Sequence, residues 1–388
     1  MSHHHSHISS AIKIIESYTA TEPFAGHLKK HFAANKKYGS KDRKTITALC
    51  YNYFRLAHAL KNKTTEEKIL AGLFLCEYKA SSLLQALQPE LNDKITLSLE
   101  EKLSFLNIDA ATIFPFTNEL GEGINNECFY KSFLQQPRLF LRLRPGKEKA
   151  VVNKLAEASI SFITQSSDCI QLENATSLEE VIKINKEVVV QDASSQKVFN
   201  YLDALPSAVK ENKITAWDCC AASGGKAILL YDKLKGNVQL TVSDIRENIL
   251  VNCKKRLQQA GVNIYKNFIA DLTKKSLPID EDKFSIIICD VPCTGSGTWG
   301  RTPEQLLYFK KNTIEKYAEK QKLIAENALP HLKKDGLFFY ITCSVFKKEN
   351  EEVAAYLKEK FHLQLLQMEY IKGYEIKADT MFVAVFKN

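Results

Sequence analysis

Two cysteines stand where packing alone gives a cysteine no reason to be. Pro292-Cys293-Thr294 follows the apolar run Phe284–Cys289 and its acid Asp290, and Thr342-Cys343-Ser344 follows the run Leu337–Ile341. Both runs have the length and composition of buried strands, so each thiol falls just past a strand's carboxyl end. If those strands are neighbours, the two thiols and Asp290 face one cleft. Such a set suits methylation of an unactivated ring carbon. Carbon 5 of cytosine is a poor nucleophile, but a thiolate adding to carbon 6 makes the ring enamine-like and enriches carbon 5 in electrons. A carboxylic acid near the ring nitrogen stabilises the charge that develops. A base then removes the carbon-5 proton and the thiol is expelled. A free cysteine has a pKa of about 8.5, so a nearby cation such as Lys226 would help the thiol ionise.

A second group of residues has the order of a nucleoside site. One candidate strand ends in Asp218-Cys219-Cys220-Ala221-Ala222-Ser223-Gly224-Gly225-Lys226. A turn of small residues between strand and helix lets a ligand approach the backbone closely. The next strand ends at Asp244, twenty residues after Gly224, where a carboxylate can accept from ribose hydroxyls. A third ends at Ala270-Asp271, where an acid can accept from an adenine amino group. Taken singly these acids read as helix N-caps. Their order and spacing together favour a nucleoside carrying a positive sulfonium. The turn after this strand has no Gly-x-Gly-x-x-Gly, and its helix opens with Lys226, which weighs against a dinucleotide.

The elements that position these residues divide the chain into three expected parts. Residues 1–125 have helical periodicity, as in Ile46, Leu49, Cys50, Tyr53 and Ala57, with little Pro or Gly. Residues 126–190 mix a strand at Leu139–Arg144, a helix over Lys147–Glu157 and short strands at Ile160–Ile163 and Cys169–Leu172, a small α+β module. Residues 191–388 alternate strand and helix. Strands are expected at Thr215–Cys219, Gln239–Ser243, Ile264–Ile269, Phe284–Cys289 and Leu337–Ile341, and helices at Lys226–Leu234, Arg246–Ala260 and Thr313–Leu332. This is an α/β pattern, a parallel sheet with helices on both faces, whose ligands bind beyond the strands' carboxyl ends.

Composition narrows the class. No apolar run approaches the ~20 residues of a membrane span, and the start lacks the charged-then-apolar pattern of a secretory signal. His3, His4, His5 and His7 are given no function. Ten cysteines without such a signal point to a reducing, cytoplasmic setting, and their spacing makes no metal site. Cys50, Cys76, Cys128, Cys169, Cys253 and Cys289 are expected to be small buried apolar residues, and Cys219 and Cys220 to pack beside the turn. The net charge of +8 is mild. It is concentrated in Lys29, Lys30, Lys36, Lys37, Lys41, Arg43 and Lys44, against the single acid Asp42, and in Arg138, Arg142, Arg144, Lys147 and Lys149. Both clusters are solvated faces or, in a nucleic-acid enzyme, phosphate contacts.

With these motifs in order, the sequence resembles the Nop/Sun family of RNA 5-methylcytosine methyltransferases, its bacterial ribosomal-RNA branch in particular. The resemblance rests on Gln191-Asp192-Ala193-Ser194-Ser195-Gln196, Cys220 to Lys226, Asp244, Asp271, Asp290 to Gly297, Arg301-Thr302-Pro303-Glu304, Gln321 and Thr342-Cys343-Ser344, and covers residues 191–388. It implies a class I methyltransferase fold, a Rossmann-like sheet. It implies that Cys343 is the nucleophile and that Cys293 assists breakdown of the covalent adduct, with Asp290 and Lys226 acting on the target base. Cys220, Ala221, Ala222, Ser223, Gly224, Gly225, Lys226, Asp244, Arg246, Asp271 and Asp290 would hold S-adenosylmethionine. Residues 1–125 resemble, more weakly, the helical RNA-binding extension of that branch, chiefly over Asn35–Leu56 with its Tyr-x-Tyr-Phe-Arg. The implied substrate is ribosomal RNA, with transfer RNA second, and the enzyme is expected to be a monomer. A small-molecule or protein methyltransferase, or a non-catalytic RNA-binding assembly factor on the same fold, are the competing expectations. The chain departs from the family at Ser223, where Pro is usual and the turn should loosen. It departs also at Val291, and at Trp299–Glu304, where a more basic stretch is usual.

Overall fold

A computed structural model describes residues 3–204, 214–279 and 283–388. It forms two compact units. One contains residues 1–118, 125–136 and 298–311, the other 119–124, 137–297 and 312–388.

The first unit is helical. Its longer helices are His3–Ser17, Phe24–Ala34, Ser40–Arg55 and Thr65–Cys76. Local chemistry sets their ends. Thr64 Oγ1 accepts from the Glu67 N–H while the Glu67 carboxylate accepts from the Thr64 N–H, a reciprocal cap repeated by Ser98 and Glu101. Phe24, Phe54, Phe74, Phe114 and Phe133 are buried in its core. The segment 298–311 belongs to this core: Trp299 is buried, its ring 4.7 Å from Phe309 and 6.3 Å from Phe114. Arg55, last residue of the Tyr-x-Tyr-Phe-Arg motif, is buried too, and its Nη1 donates to the carbonyls of Phe133, Gln135 and Gly300. That arginine therefore binds its own chain. All seven basic residues between Lys29 and Lys44 are exposed. Asp42 faces the first helix, with the Nε2 atoms of His7 and His3 3.0 and 3.2 Å from its Oδ1. No helix among the described residues is long and apolar enough to cross a membrane.

The second unit holds two sheets. The smaller comprises β1 (Leu139–Leu143), β2 (Phe162–Ser166), β3 (Cys169–Leu172) and β4 (Val188–Val190), in the order β2-β3-β1-β4 and antiparallel. The larger comprises β5 (Ile214–Asp218), β6 (Val238–Asp244), β7 (Ile264–Ile269), β8 (Phe284–Asp290), β9 (Leu332–Thr342), β10 (Gln364–Lys372) and β11 (Thr380–Lys387). Its order is β10-β11-β9-β8-β5-β6-β7. The run β7-β6-β5-β8-β9 is parallel, as the strand–helix alternation requires. β11 returns antiparallel beside β9, and β10 pairs antiparallel with β11. The sheet is thus mixed rather than wholly parallel. Those last two strands are joined by residues 373–379, which include the 3-10 segment Gly373–Ile376, a connection too short for a parallel crossover.

Two expectations fail here, one through burial against a partner and one through exposure. Arg142 and Arg144 are not phosphate contacts. Arg142 lies in β1 and Arg144 just past its end, and both guanidinia meet the buried side chain of Asp232: Arg142 Nη1 lies 2.5 Å and Arg144 Nη2 2.8 Å from its carboxylate. Gln191 accepts from Arg142 Nε, and Asp192 caps the helix Ala193–Lys197, so the Gln-Asp-Ala-Ser-Ser-Gln motif is architectural in part. Replacing Asp232 by Ala would leave two buried cations uncompensated, and should cost about 3–5 kcal/mol of stability. A denaturant titration reads that loss. An unchanged midpoint would mean the pair is dispensable. Among the cysteines expected in the core, Cys50, Cys169, Cys253 and Cys289 are buried, but Cys76 is half-buried and Cys128 is exposed, on the outer face of its short helix.

Candidate active site

The strand order reverses direction at β5, which has β6 on one side and β8 on the other. The crevice beyond the carboxyl ends at such a switch point is where α/β sheets bind ligands. A cavity of about 430 Å³ opens there, within the usual range for small-molecule sites. Cys220, Ala222, Asp244, Arg246 and Asp271 line one part of it, and Asp290, Cys293 and Cys343 another. Ala221, Ser223, Gly224, Gly225 and Lys226 are not in its wall. They form the turn and the start of the helix Gly225–Lys233 behind it.

That turn is built for close approach. Ala222 and Gly224 both have left-handed backbones, φ +44° and +78°. A Cβ added to Gly224 would lie 2.9 Å from Cys253 Sγ, so only glycine fits. Ser223, in place of the family's usual Pro, accepts a hydrogen bond from Arg256 Nη1 at 2.8 Å, which holds the turn by another route. Asp244 takes the Ala222 N–H on Oδ2 and the Arg246 N–H on Oδ1, at 3.0 and 2.9 Å. Burial opposes its charge, but Arg246 and these N–H groups prevail and hold its carboxyl below the usual range. Asp271 Oδ1 accepts from the Thr273 hydroxyl and N–H. It is therefore a local cap as well as part of the wall, both readings at once.

At the other end of the cavity, β8 and β9 are hydrogen-bonded neighbours in parallel register, with Asp290 opposite Ile341. Their ends bring Cys293 Sγ to 3.2 Å from Cys343 Sγ. Lys226 Nζ is 2.5 Å from Asp290 Oδ2. Burial would lower the Lys226 pKa, but Asp290 outweighs it and keeps the amine above its ordinary value, a firm cation. Its contact with Cys343, burial and the charge of Glu349 together push the Cys293 thiol well up. A protonated Cys293 can point its hydrogen at the other sulfur. The cluster can hold one proton at a thiol beside a second thiol, and it supplies a buried ion pair at the same strand ends.

Sequence reasoning passed over Asp218, Lys320 and Glu349. Lys320 lines the cavity from the helix Asn312–Ala328, and periodicity alone had no reason to single it out. Asp218 was legible as an acid at the end of a strand. It is fully buried, and burial and the neighbouring Asp290 push its carboxyl up to about 8. A carboxyl protonated in the folded chain and ionised at about 3.9 in the unfolded one makes the folded state bind the extra proton between these values. The contribution of Asp218 to stability is then greatest below about pH 4 and declines as pH rises toward 8, by up to about 1.4 kcal/mol per pH unit. Asp218→Asn should flatten that decline in denaturant titrations between pH 5 and 8. An identical slope in the variant would show that Asp218 does not bind the proton.

The geometry has a match among known families. The family model described as "16S rRNA methyltransferase RsmB/F" covers residues 207–386. Residues 207–386 are thus similar to the RsmB/F (Nop/Sun) methyltransferases. The family is of the S-adenosylmethionine-dependent class. The chain is 28% identical over 231 residues to the ribosomal RNA small subunit methyltransferase B of Xanthomonas campestris, an alignment covering 58% of this chain and 50% of that protein. It thus spans about half the length of the curated relatives it matches. The crystal structure of PH0851 superposes over 98% of both chains, with a TM-score of 0.71 and 18% identity. That of NSun6 from Pyrococcus horikoshii with SFG, an S-adenosylmethionine analogue, covers 65% of this chain and 91% of its own, with a TM-score of 0.55 and 14% identity. These likenesses give the RsmB/F domain its fold, a class I methyltransferase sheet, and extend the shared fold to the helical unit.

Proposed function

We propose that this chain methylates carbon 5 of a cytosine in RNA, with ribosomal RNA of the small subunit as substrate, through a covalent bond from Cys343 to the base. The observation that carries this reading is the pair of sulfurs 3.2 Å apart on the wall of one cavity, at the carboxyl ends of adjacent strands. A lone nucleophile would need no second thiol there.

The residues present fit S-adenosylmethionine. The small side chain of Ala222 leaves the wall open beside the turn, and the Asp244 and Asp271 carboxylates on the wall suit ribose and adenine. When bound, that molecule supplies the methyl group. The chain's own groups do the rest. The Cys343 sulfur adds to carbon 6 of the base, and the ring's electron pair moves onto carbon 5. Lys226 and Asp290 sit beside the base and balance the charge that develops on it. After carbon 5 is alkylated it loses its proton to a base. The carbon–sulfur bond then breaks, its electrons return to Cys343 and the ring double bond re-forms. Cys293 holds its proton next to the departing sulfur and assists that release. The seven exposed basic residues between Lys29 and Lys44 are available for phosphate contacts.

The test is to incubate the chain with small-subunit ribosomal RNA, transfer RNA and methyl-labelled S-adenosylmethionine, then digest the RNA and identify the labelled nucleoside by mass. Labelled 5-methylcytidine from ribosomal RNA is expected. Label in any other nucleoside would overturn the chemistry, and label confined to transfer RNA would overturn the substrate.

A further inference from the structure

Behind the two thiols, away from the cavity, lies a carboxylate that the proposed chemistry does not use. Glu349 is wholly buried, with no exposed surface. Its Oε1 accepts from the Thr294 N–H and from Gln321 Nε2, each at 2.9 Å. Its Oε2 accepts from the Thr294 and Ser344 hydroxyls, each at 2.5 Å. Thr294 follows Cys293 and Ser344 follows Cys343. One side chain therefore holds the residue after each thiol, on two separate loops. The helix bearing Gln321 is tied in as well, since the same Nε2 donates to the Pro292 carbonyl, just before Cys293. The neighbouring Asn350 completes the grip on Cys343: its Oδ1 accepts from the Thr342 hydroxyl and its Nδ2 donates to the Ser344 carbonyl.

We infer that Glu349 is the positioning residue for the thiol pair, the hydrogen-bonded tie that sets how far Cys293 stands from Cys343. It touches neither cavity nor base. Without it, hydroxyl–hydroxyl contacts between the loops remain, Ser296 to Ser344 at 3.2 Å and Thr294 to Ser344 at 3.3 Å, as do the Gly297 N–H to Cys343 carbonyl and Val345 N–H to Ser296 Oγ bonds. None of these takes the Thr294 N–H. Without the carboxylate, that N–H beside Cys293 loses its acceptor and the Thr294 hydroxyl loses its 2.5 Å partner. A buried group in that position must move to find another, and the thiol moves with it.

The inference rests on the proposed role of the cysteines but is tested without methylation. An azo oxidant such as diamide takes two electrons and two protons from a pair of thiols, leaving a disulfide and a hydrazine. The rate of the Cys293–Cys343 cross-link, followed by peptide mass spectrometry, reports how often the two sulfurs meet. Glu349→Ala should slow it by about tenfold or more, and lower turnover by on the order of 10²-fold with S-adenosylmethionine affinity unchanged, as displacement by about 1 Å does elsewhere. Glu349→Gln is the rescue. Its amide oxygen can take the Thr294 N–H and Gln321 bonds, and the two hydroxyls can turn to accept from its NH₂. It should cross-link at close to the wild-type rate. If Glu349→Ala does not fold, Ser344→Ala removes the tie on the Cys343 side alone and should slow the cross-link by itself. Wild-type rates in Glu349→Ala, or in Ser344→Ala, overturn the inference, as does a Gln variant as slow as the Ala one. If wild-type protein methylates nothing, the function reading fails while the cross-link rates still decide this one.

Discussion

Replacing Cys343 with alanine is expected to abolish methyl transfer, by on the order of 10³-fold or more, while S-adenosylmethionine still binds within about twofold of the wild-type affinity, under ~0.5 kcal/mol. The argument is that the two effects have separate causes. Without the sulfur, carbon 5 of the base never becomes electron-rich, and burial still pushes the remaining thiol, Cys293, up and against taking its place. A loss of that size is about 4 kcal/mol of barrier, more than any positioning change would remove. The cofactor turn is anchored elsewhere, by Asp244 and Arg256, and does not lean on Cys343. Single-turnover methyl incorporation and calorimetric titration measure the two quantities separately. Retained activity in this variant would remove Cys343 from the nucleophile's role. Loss of both activity and binding would make the side chain part of the cofactor wall instead.

Cys293→Ala is expected to behave in the opposite way. The first half of the reaction should proceed, because Cys343, Lys226 and Asp290 are intact. The second half should stall, because the proton held 3.2 Å from the departing sulfur is gone. Enzyme should therefore collect as a protein–RNA adduct that survives denaturing gel electrophoresis, at up to about one RNA per protein, with multiple turnover reduced by on the order of 10²-fold. The double variant should form no adduct. Absence of the adduct in Cys293→Ala, alongside activity in Cys343→Ala, would exchange the two roles.

Much of this was legible before any coordinates. The strands β5 to β9 follow from apolar runs separated by helical periods, and their ends fall within a residue or two of expectation, except that β9 begins at Leu332, well before the apolar run. The adjacency of β8 and β9 was a condition in the sequence and is a fact in the fold. What stayed hidden depended on partners far along the chain. Nothing near Arg142 and Arg144 says that Asp232, about 90 residues away, neutralises them, so a buried triad looked like a basic patch. β11 was missed because a short apolar run, Met381–Phe386, has no period of its own and is buried on both faces. Glu349 reads as one of several acids opening a helix. Only the return of two loops to the same spot makes it different.

The path of the chain has a consequence for how this protein can be divided. The backbone passes from the sheet unit to the helical unit after Gly297 and returns at Asn312, having already crossed near residues 118, 124 and 136. The crossing after Gly297 comes four residues past Cys293. No single break can release either half as a continuous polypeptide, and a gene fragment ending at residue 136 would lack Trp299 and the rest of the helical core's last piece. Recombination that swaps the front of the gene would thus part residues 298–311 from the rest of the helical unit they belong to. The two halves are bound to be inherited together.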